Sequence, residues 1–438
     1  MEPSAWAEAR PGGLFGGFFR GWVLPAAVIA LTPPLAILFW IVATQYDSSV
    51  VAFAQDLSVE TLRAAWPTPS LWAIGVIGMW TFVQGVLLLI VPGKDHLGPP
   101  TPAGERPRYR LNGVPVWIGT HVAIVAATWV GWIRPAAIYD RFGELLWTSS
   151  LLALAVCVLL YVKGRVAPSG ADTSFSSNPI WDYWNGVELH PRVFGVQVKQ
   201  LINCRVAMMG WSVLLLCWAH KHIELHGSLG WAMGTSVGLQ LVYIFKFFWW
   251  EDGYFGSLDI THDRFGYYLF WGLMAWLPSL YTLATLCLVL PADRLHPAVA
   301  VAIWVFGLGS IAVNYAADRQ RMVVRASGGK AEVWGKPPVL IEATYTTEDG
   351  TERTNLLLAS GWWGISRHFH YVAELSLAAA WTMPAGVTEL LPWSYVIFLG
   401  ILLTDRARRD ERRCAAKYGP AWEEYRAAVK WRMVPGVY

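Results

Sequence analysis

Charged residues are scarce in this chain of 438 residues. Only 15% are Asp, Glu, Lys or Arg and 55% are hydrophobic, against roughly 25% and 45–50% in an average soluble protein. A composition this apolar excludes a single water-soluble core and predicts a membrane protein. The formal net charge of +3 and the lack of a basic and aromatic surface pattern argue against nucleic acid as a partner.

Cysteine pairs and glycine-rich phosphate loops are also missing. The five cysteines form no CxxC pair, which disfavours a disulfide framework or a metal site such as zinc. Neither GxGxxG after a strand nor GxxxxGK[ST] occurs, so a bound nucleotide needs another kind of phosphate site. No cleavable signal peptide is evident, and we expect the first apolar run to direct insertion.

Long apolar runs are present instead. About ten of them have close to 20 residues, enough to cross roughly 30 Å of hydrocarbon at about 1.5 Å per residue. We therefore predict an all-α, polytopic integral membrane protein, organised as one domain over residues 1–438. The runs cover residues 21–45, 70–92, 115–133, 146–162, 203–219, 228–249, 266–290, 297–316, 371–384 and 391–404.

The segments between the runs differ in charge. Residues 46–69 hold three acidic residues and one Arg, whereas residues 93–114 hold one Lys and three Arg. Because Lys and Arg concentrate on the cytoplasmic side of a membrane, this pattern predicts that both termini are cytoplasmic. Residues 317–360 and 405–438 are also basic, and on that side they would meet a soluble anionic cofactor.

Two arginines follow the eighth run at helical spacing. Arg321 and Arg325 are four residues apart, so on a continuing helix both guanidinium groups share one face. Such a pair suits a phosphate monoester. Ordinary positively charged flanks of a membrane span are the more common explanation of such arginines.

A basic segment, DRARRDERRCAAKYG, follows the last run. Its polar residues recur at three- and four-residue spacings, which predicts one strongly basic helical face with an embedded carboxylate. Guanidinium groups bind phosphate oxygens bidentately, and a helix facing lipid headgroups is the alternative. The residues of this face are Arg406, Arg409, Asp410, Arg413, Cys414 and Lys417.

Two further clusters carry ionisable side chains beside apolar runs. The segment GWWGISRHFHYVAEL places ionisable side chains at the edge of an apolar run, where burying them costs free energy unless they are paired or face water. The segment YIFKFFWWEDGYFGSLDITHDRFG can deliver a proton from an acidic group in apolar surroundings, or it is a structural network. The candidates are Trp363, Arg367, His368, His370, Tyr371 and Glu374 in the first segment, and Tyr243, Lys246, Glu251, Asp259, His262 and Asp263 in the second.

These clusters resemble the signature regions of the sterol C14/Δ7/Δ24(28) reductase family. The resemblance is carried by LLLASGWWGISRHFHYVAEL, by the ending DRARRDERRCAAKYGPAWEEYRAAVKWRMVPGVY, and by NPIWDYWNGVELHPR, FFWWEDGYFGSLDITHDRFGYYLFWG and NYAADRQRMVVR. VWGKPPVLIEATYTTEDG and RHFHYVAE are similar to the Δ7 branch, whereas C14 reductases typically read RHPNY. Arg321 stands where the family usually has Lys, and His370 where Asn is common.

The resemblance implies an enzyme that uses NADPH to reduce a sterol ring double bond. Its closest branch implies the C7–C8 bond, with sterol C14 reduction as the alternative, and it implies that residues 317–438 form most of a cytoplasm-facing NADPH site. We therefore expect the cofactor at Arg321, Arg325, Leu358, Trp363, His370, Tyr371, Arg406, Asp410, Cys414, Ala415, Ala416, Lys417, Tyr418 and Tyr425.

The expected reaction also needs an acid. An isolated ring alkene is a poor hydride acceptor, so we expect protonation followed by hydride transfer from NADPH. Tyr243 is the first choice of proton donor, because Lys246 or Glu251 can polarise its phenol; Glu251 itself, or His262 with Asp263, are the alternatives. The expected partners are a sterol within the bilayer and membrane lipids, with no obligate protein partner.

Two other classes remain open from the sequence. An integral-membrane methyltransferase of the isoprenylcysteine type also carries an RHxxY-like segment and a basic C-terminal helix, although its chains are shorter and have fewer spans. A non-catalytic sterol-binding or scaffold protein would keep the spans and lose the site cluster. The cluster is largely intact, which favours an enzyme in a bacterial inner membrane or an endoplasmic reticulum membrane.

Overall fold

The computed structural model describes residues 19–346 and 352–438. Within them the chain forms two compact units. The larger unit contains residues 19–295 and 384–392, and the C-terminal unit contains residues 296–383 and 393–438. The described chain is mostly helical and includes three two-stranded antiparallel sheets. The all-α prediction missed these sheets.

The larger unit is built mainly from long helices. Its described residues form α1 (Phe19–Gln45), α2 (Leu71–Ile90), α3 (Gly113–Trp129), α4 (Phe142–Val166), α5 (Val198–His226), α6 (Trp231–Trp249) and α7 (Tyr267–Leu286). Short helices lie at Val50–Asp56, Val59–Ala65, Ala136–Asp140, Pro179–Asn185, Glu251–Tyr254 and Leu258–Thr261. Strand β1 (Lys94–Leu97) pairs with β2 (Arg108–Leu111), and β3 (Arg192–Val193) pairs with β4 (Val196–Gln197).

The C-terminal unit combines helices with a hairpin. Its elements are β5 (Leu340–Thr346), β6 (Glu352–Leu358), α8 (Pro297–Ala326), α9 (Phe369–Thr382), α10 (Ser394–Tyr418), α11 (Pro420–Ala428) and a short helix at Trp362–Ile365. Helix α8 packs on α9, α9 packs on α10, and α11 lies against β5. The strands pair from Leu340 opposite Leu358 to Thr346 opposite Glu352.

Six of the described helices are long and apolar enough to cross a membrane, namely α1, α2, α4, α5, α7 and α8. Every predicted apolar run coincides with a helix, but the predicted number of spans is not confirmed. Helix α9 shows why, because it has 14 residues and a rise of about 1.5 Å per residue gives it about 21 Å, less than the roughly 30 Å of hydrocarbon.

Helices α8 and α10 extend well beyond their apolar runs. The predicted runs end at residues 316 and 404, whereas the helices continue to Ala326 and Tyr418. Ala, Arg and Lys are good helix formers, so the basic segments continue the helices that precede them. Helix α10 ends at Tyr418, and it is followed by Gly419, whose φ of +50° is easily reached by a residue without a side chain. The basic residues therefore stand on rigid helices.

An apolar core fixes the hairpin against the two last helices. Buried side chains from β5, β6, α10 and α11 form one cluster, and Cys414 and Ala415 pack against it. Burial of this kind contributes roughly 25 cal/mol per Å² of apolar surface removed from water. The members of the cluster are Ile341, Ala343, Leu357, Tyr418, Trp422, Tyr425 and Val429.

Candidate functional site

An arginine stacked on a tryptophan lies near the end of α8. The guanidinium carbon of Arg321 is 4.0 Å from the ring centroid of Trp363, within the range of a cation–π interaction. The Trp363 Nε1 donates to the Ala317 carbonyl at 2.8 Å, and the indole is buried. The Arg321 side chain retains 35% of its exposure. The indole thus holds one face of the guanidinium, and Asp318 Oδ1 accepts from its Nη2 at 3.5 Å, so a bound anion shares this guanidinium with Asp318.

Arg325 lies one turn further along α8, so the predicted shared face of the two arginines is present. Its Nε donates to the Leu356 carbonyl of β6 at 3.3 Å. Both arginines are close enough to Tyr425 to act on its pKa, which burial raises and their positive charges lower. The Tyr425 phenol therefore stays neutral and can donate a hydrogen bond at this basic place.

Four aromatic and imidazole rings form a cluster at the start of α9, which we call the aromatic cluster: Trp363, His368, His370 and Tyr371. The ring centroids of Trp363 and His370 are 5.0 Å apart, and those of His370 and Tyr371 are 4.2 Å apart. The His368 and Tyr371 rings are nearly parallel, with centroids 5.3 Å apart. These spacings are those of rings in contact, so the cluster is a packed group of flat side chains, and a planar ligand could pack only against its outer ring surfaces.

The basic face of α10 is partly neutralised by its own carboxylates. Arg409 pairs with Asp405 at 2.7 Å, and Arg413 pairs with Asp410 at 2.7 Å. The Cys414 Sγ lies 3.9 Å from the same Asp410. Burial, together with that carboxylate, raises the pKa of the Cys414 thiol to about 12. The face is less basic than the sequence suggested, and Cys414 acts as a neutral thiol.

The hairpin adds an aromatic residue to this end of α10. The Lys417 Nζ lies 3.8 Å from the ring centroid of Tyr345. The Tyr345 and Tyr418 rings meet edge to face at 5.7 Å, and Asn355 Nδ2 donates to the Tyr418 hydroxyl at 2.8 Å. Tyr345 was not predicted as a site residue, because its segment was used only as evidence of similarity to the Δ7 branch.

The remaining predicted cofactor positions lie in the same unit. Leu358, at the end of β6, is buried in a cluster with Val324 and Trp363. Arg406 is half-buried on α10, and Ala416 is exposed one residue before Lys417. The structure thus places all fourteen predicted cofactor residues in the C-terminal unit, and their contact with a cofactor stays a prediction.

Tyr243, the first choice of proton donor, lies half-buried on α6 in the larger unit. Its ring centroid is 5.9 Å from that of Trp211, and the Lys246 Nζ lies 5.2 Å from its ring centroid. The Trp211 Nε1 donates to Gln240 Oε1 at 2.9 Å. The Tyr243 phenol therefore has the Lys246 ammonium beside its ring, and the Gln240 amide lies about one turn earlier on α6.

Glu251 is engaged in a buried ion pair. Its Oε1 accepts from Arg205 at 2.6 Å, with both side chains almost fully buried, and its Oε2 accepts from the Gly113 amide at 3.0 Å. Arg205 also donates to Asn112 Oδ1 at 2.8 Å. These contacts join α5, the start of α3 and the segment after α6. In this arrangement both carboxylate oxygens of Glu251 accept hydrogen bonds, and the side chain holds these elements together.

His262 and Asp263 directly follow a short helix, Leu258–Thr261. His262 is exposed, and Asp263 is half-buried. The buried Lys199 donates from Nζ to the Ile260 carbonyl at 2.8 Å and to the Asp263 carbonyl at 2.5 Å. These two bonds hold the backbone of this segment against α5. The role of His262 and Asp263 as alternative proton donors stays a prediction.

Comparison with known proteins places the chain in a family. Residues 30–438 match the Ergosterol biosynthesis ERG4/ERG24 family. The chain is 42% identical to the 7-dehydrocholesterol reductase of Arabidopsis thaliana, over 94% of this chain and 96% of that protein. It is 34% identical to the 7-dehydrocholesterol reductase of Danio rerio, over 100% of this chain and 94% of that protein. The chain belongs to the ERG4/ERG24 family of sterol reductases.

A relative with a different reaction in its name matches a similar share of the chain. The Delta(14)-sterol reductase of Methylotuvimicrobium alcaliphilum is 33% identical over 96% of each chain. Family membership confirms the resemblance in the sequence and supports an oxidoreductase of the membrane. It favours this class over the methyltransferase class, and it leaves the reduced double bond to be assigned.

This sterol reductase contains a buried charge cluster that the sequence did not predict. Glu411 on α10 accepts from Arg367 Nε at 2.8 Å and from Arg432 Nε at 2.7 Å. Arg367 also donates to the Val429 carbonyl at 2.5 Å, and Arg432 donates to the Tyr438 hydroxyl. The cluster ties the last residues of the chain to the segment that carries the aromatic cluster. A buried carboxylate requires such partners, but the sequence does not show which arginines they are.

Proposed function

We propose that this sterol reductase uses NADPH to reduce the C7–C8 double bond of a sterol. The observation that carries the cofactor assignment is the pair Arg321 and Arg325 beside the aromatic cluster. Only NADPH carries a 2′-phosphate, and that group calls for cationic side chains that NADH does not need. The aromatic cluster, which includes Trp363 and Tyr371, offers flat ring surfaces against which a nicotinamide can pack. The identity of 42% to a 7-dehydrocholesterol reductase supports the Δ7 assignment.

The proposed reaction adds one proton and one hydride across the double bond. The π electrons take a proton from an acid, which is left as its conjugate base, and the ring is left as a carbocation; NADPH, when bound, would supply the hydride that neutralises it. We assign the acid to Tyr243, because a cation such as Lys246 beside a phenol favours release of its proton. Glu251 is less suited, since Arg205 and Gly113 already engage both of its oxygens.

The proposal includes a place in the cell. The basic segments 317–360 and 405–438 favour a cytoplasmic position for the cofactor-binding residues and for both termini. The substrate is proposed to be a sterol dissolved in the bilayer, with membrane lipids as the other partners and no obligate protein partner. The membrane is proposed to be a bacterial inner membrane or that of the endoplasmic reticulum.

Product analysis tests the assignment directly. The purified chain is incubated with NADPH and either 7-dehydrocholesterol or a sterol that carries a Δ14 double bond, and the products are identified by mass spectrometry. We expect cholesterol from 7-dehydrocholesterol and a slower reaction with the Δ14 sterol. Reduction of the Δ14 sterol alone would move the assignment to the C14 reaction, and no reduction of either would refute it.

Cofactor preference gives a second test. We expect NADPH to be used at least about tenfold more efficiently than NADH, equivalent to roughly 1.4 kcal/mol, because the arginine pair binds the 2′-phosphate. The measurement is kcat/KM for the two cofactors at saturating sterol. Equal values for both would show that the arginines do not bind this phosphate.

Removing the arginine pair should weaken cofactor binding selectively. Each lost charge-assisted contact costs on the order of 1.5–3 kcal/mol, so Arg321→Ala with Arg325→Ala should raise KM for NADPH by more than about a hundredfold. The KM for sterol should stay nearly unchanged. Arg412→Ala is the matched control, because Arg412 is an exposed arginine of α10 outside the predicted site. Unchanged NADPH affinity in the double variant would contradict the assignment.

A further inference from the structure

His368 has a ring nitrogen without a hydrogen bond in the described part of the chain. The side chain is 4% exposed, and its Nε2 is buried and makes no hydrogen bond there. Ser366, two residues earlier, shows the same feature at its fully buried hydroxyl. Buried polar groups are hydrogen-bonded in most proteins, and an unmade bond costs free energy. Two such groups in one short segment indicate a polar partner from outside the chain.

The backbone around His368 is rigidly held. Its amide donates to the Arg432 carbonyl at 2.8 Å, and its carbonyl accepts from the Tyr371 amide at 3.0 Å. The neighbouring Arg367 amide donates to the Trp431 carbonyl at 3.0 Å. The backbone position of His368 is therefore fixed, and its imidazole lies nearly parallel to the Tyr371 ring.

Burial, together with the charges around it, keeps the His368 imidazole neutral. Burial lowers its pKa well below the usual range, and positive charge on the neighbouring groups lowers it further. Those groups are His370, Arg321, Arg367 and Arg432. A neutral imidazole has one nitrogen that donates a hydrogen bond and one that accepts a hydrogen bond. The Nε2 atom therefore suits an uncharged ligand group that can either accept or donate. It does not suit another cation.

We propose that His368 Nε2 hydrogen-bonds to the carboxamide of the nicotinamide ring. The assignment rests on the proposed function, which places that ring among the side chains of the aromatic cluster. A carboxamide offers an N–H donor and a carbonyl acceptor, which matches either tautomer of a neutral imidazole. Through this bond His368 favours a ligand that carries a carboxamide. The same bond fixes how the nicotinamide ring is rotated about the bond that joins it to the ribose.

Two variants separate the hydrogen bond from the packing. His368→Phe keeps a flat ring against Tyr371 and removes the nitrogen, whereas His368→Gln keeps a hydrogen-bonding group and removes the ring. His222→Phe is the matched control, because it replaces a buried histidine of the larger unit. Thermal midpoints of all three show whether each variant is folded.

Binding is measured by calorimetry with NADP⁺ and two analogues, one with an acetyl group and one with a thioamide in place of the carboxamide. The acetyl analogue lacks the N–H donor, and the thioamide is a poor acceptor. We expect the full-length wild-type chain to bind NADP⁺ more tightly than at least one analogue. His368→Phe should weaken NADP⁺ binding by roughly 5- to 100-fold and abolish that discrimination, and His368→Gln should retain it.

Other outcomes would overturn the inference. Unchanged discrimination in His368→Phe, or equal losses of NADP⁺ affinity in the Phe and Gln variants, would mean that His368 acts only through packing. An equal loss in His222→Phe would mean that the effect is general destabilisation. If the wild-type chain reduces sterol with NADPH in these cases, the inference alone fails. If the folded wild-type chain does not bind NADP⁺, the proposed cofactor fails with it.

Discussion

Replacing Tyr243 with phenylalanine should lower turnover by roughly 10²- to 10⁴-fold, the range that general acid catalysis typically contributes. The substitution removes the proposed proton donor and keeps the ring that packs against Trp211. Binding of sterol and of NADPH should persist, because neither depends on the phenolic proton. Single-turnover reduction at saturating sterol and cofactor measures the effect without a contribution from product release.

A second tyrosine supplies the control. The Tyr183 hydroxyl donates to the Leu154 carbonyl at 3.0 Å within the same unit, so Tyr183→Phe removes a half-buried structural hydrogen bond. That variant should lower the thermal midpoint and leave turnover nearly intact. If Tyr243→Phe behaves in the same way, Tyr243 has only a packing role. A loss of activity well below a hundredfold would point to His262 or Glu251 as the main donor.

Apolar runs were sufficient to predict where the long helices lie, because the helices of a membrane protein can be located from the local amino-acid composition. They did not predict hairpins such as β5–β6. A strand pair depends on contacts between residues distant in sequence, and the alternation in LIEATYT is too short to distinguish a strand from a loop. Tyr345 was missed for the same reason, although its segment was known to resemble the family.

The arginine pair could be predicted because its geometry is local. Arg321 and Arg325 share a face as soon as α8 continues past the apolar run. The buried ion pairs could not be predicted in this way. Arg205 and Glu251 are separated by 46 residues, and Arg367 and Glu411 by 44 residues. Only the packed structure brings such partners together, so the sequence offered Glu251 as an alternative proton donor and did not show its partner.

The ion pair of Glu251 with Arg205 predicts a second large effect, a loss of stability. Glu251→Gln should lower the free energy of unfolding by about 3–5 kcal/mol, because it leaves the fully buried Arg205 without its countercharge. The glutamine keeps an oxygen that can accept from the Gly113 amide, so the loss is mainly electrostatic. Thermal midpoints in detergent and the yield of folded protein should both fall.

Replacing both partners tests this physical cause. A buried ion pair can often be exchanged for apolar residues at little cost, whereas a single buried charge cannot. Arg205→Met combined with Glu251→Met should therefore recover much of the stability lost in Glu251→Gln. Turnover per folded molecule of Glu251→Gln should stay within about twofold of the wild type, since general acid catalysis would otherwise contribute roughly 10²-fold or more. A folded Glu251→Gln variant with normal stability and a hundredfold lower turnover would contradict the structural role and transfer proton donation from Tyr243 to Glu251.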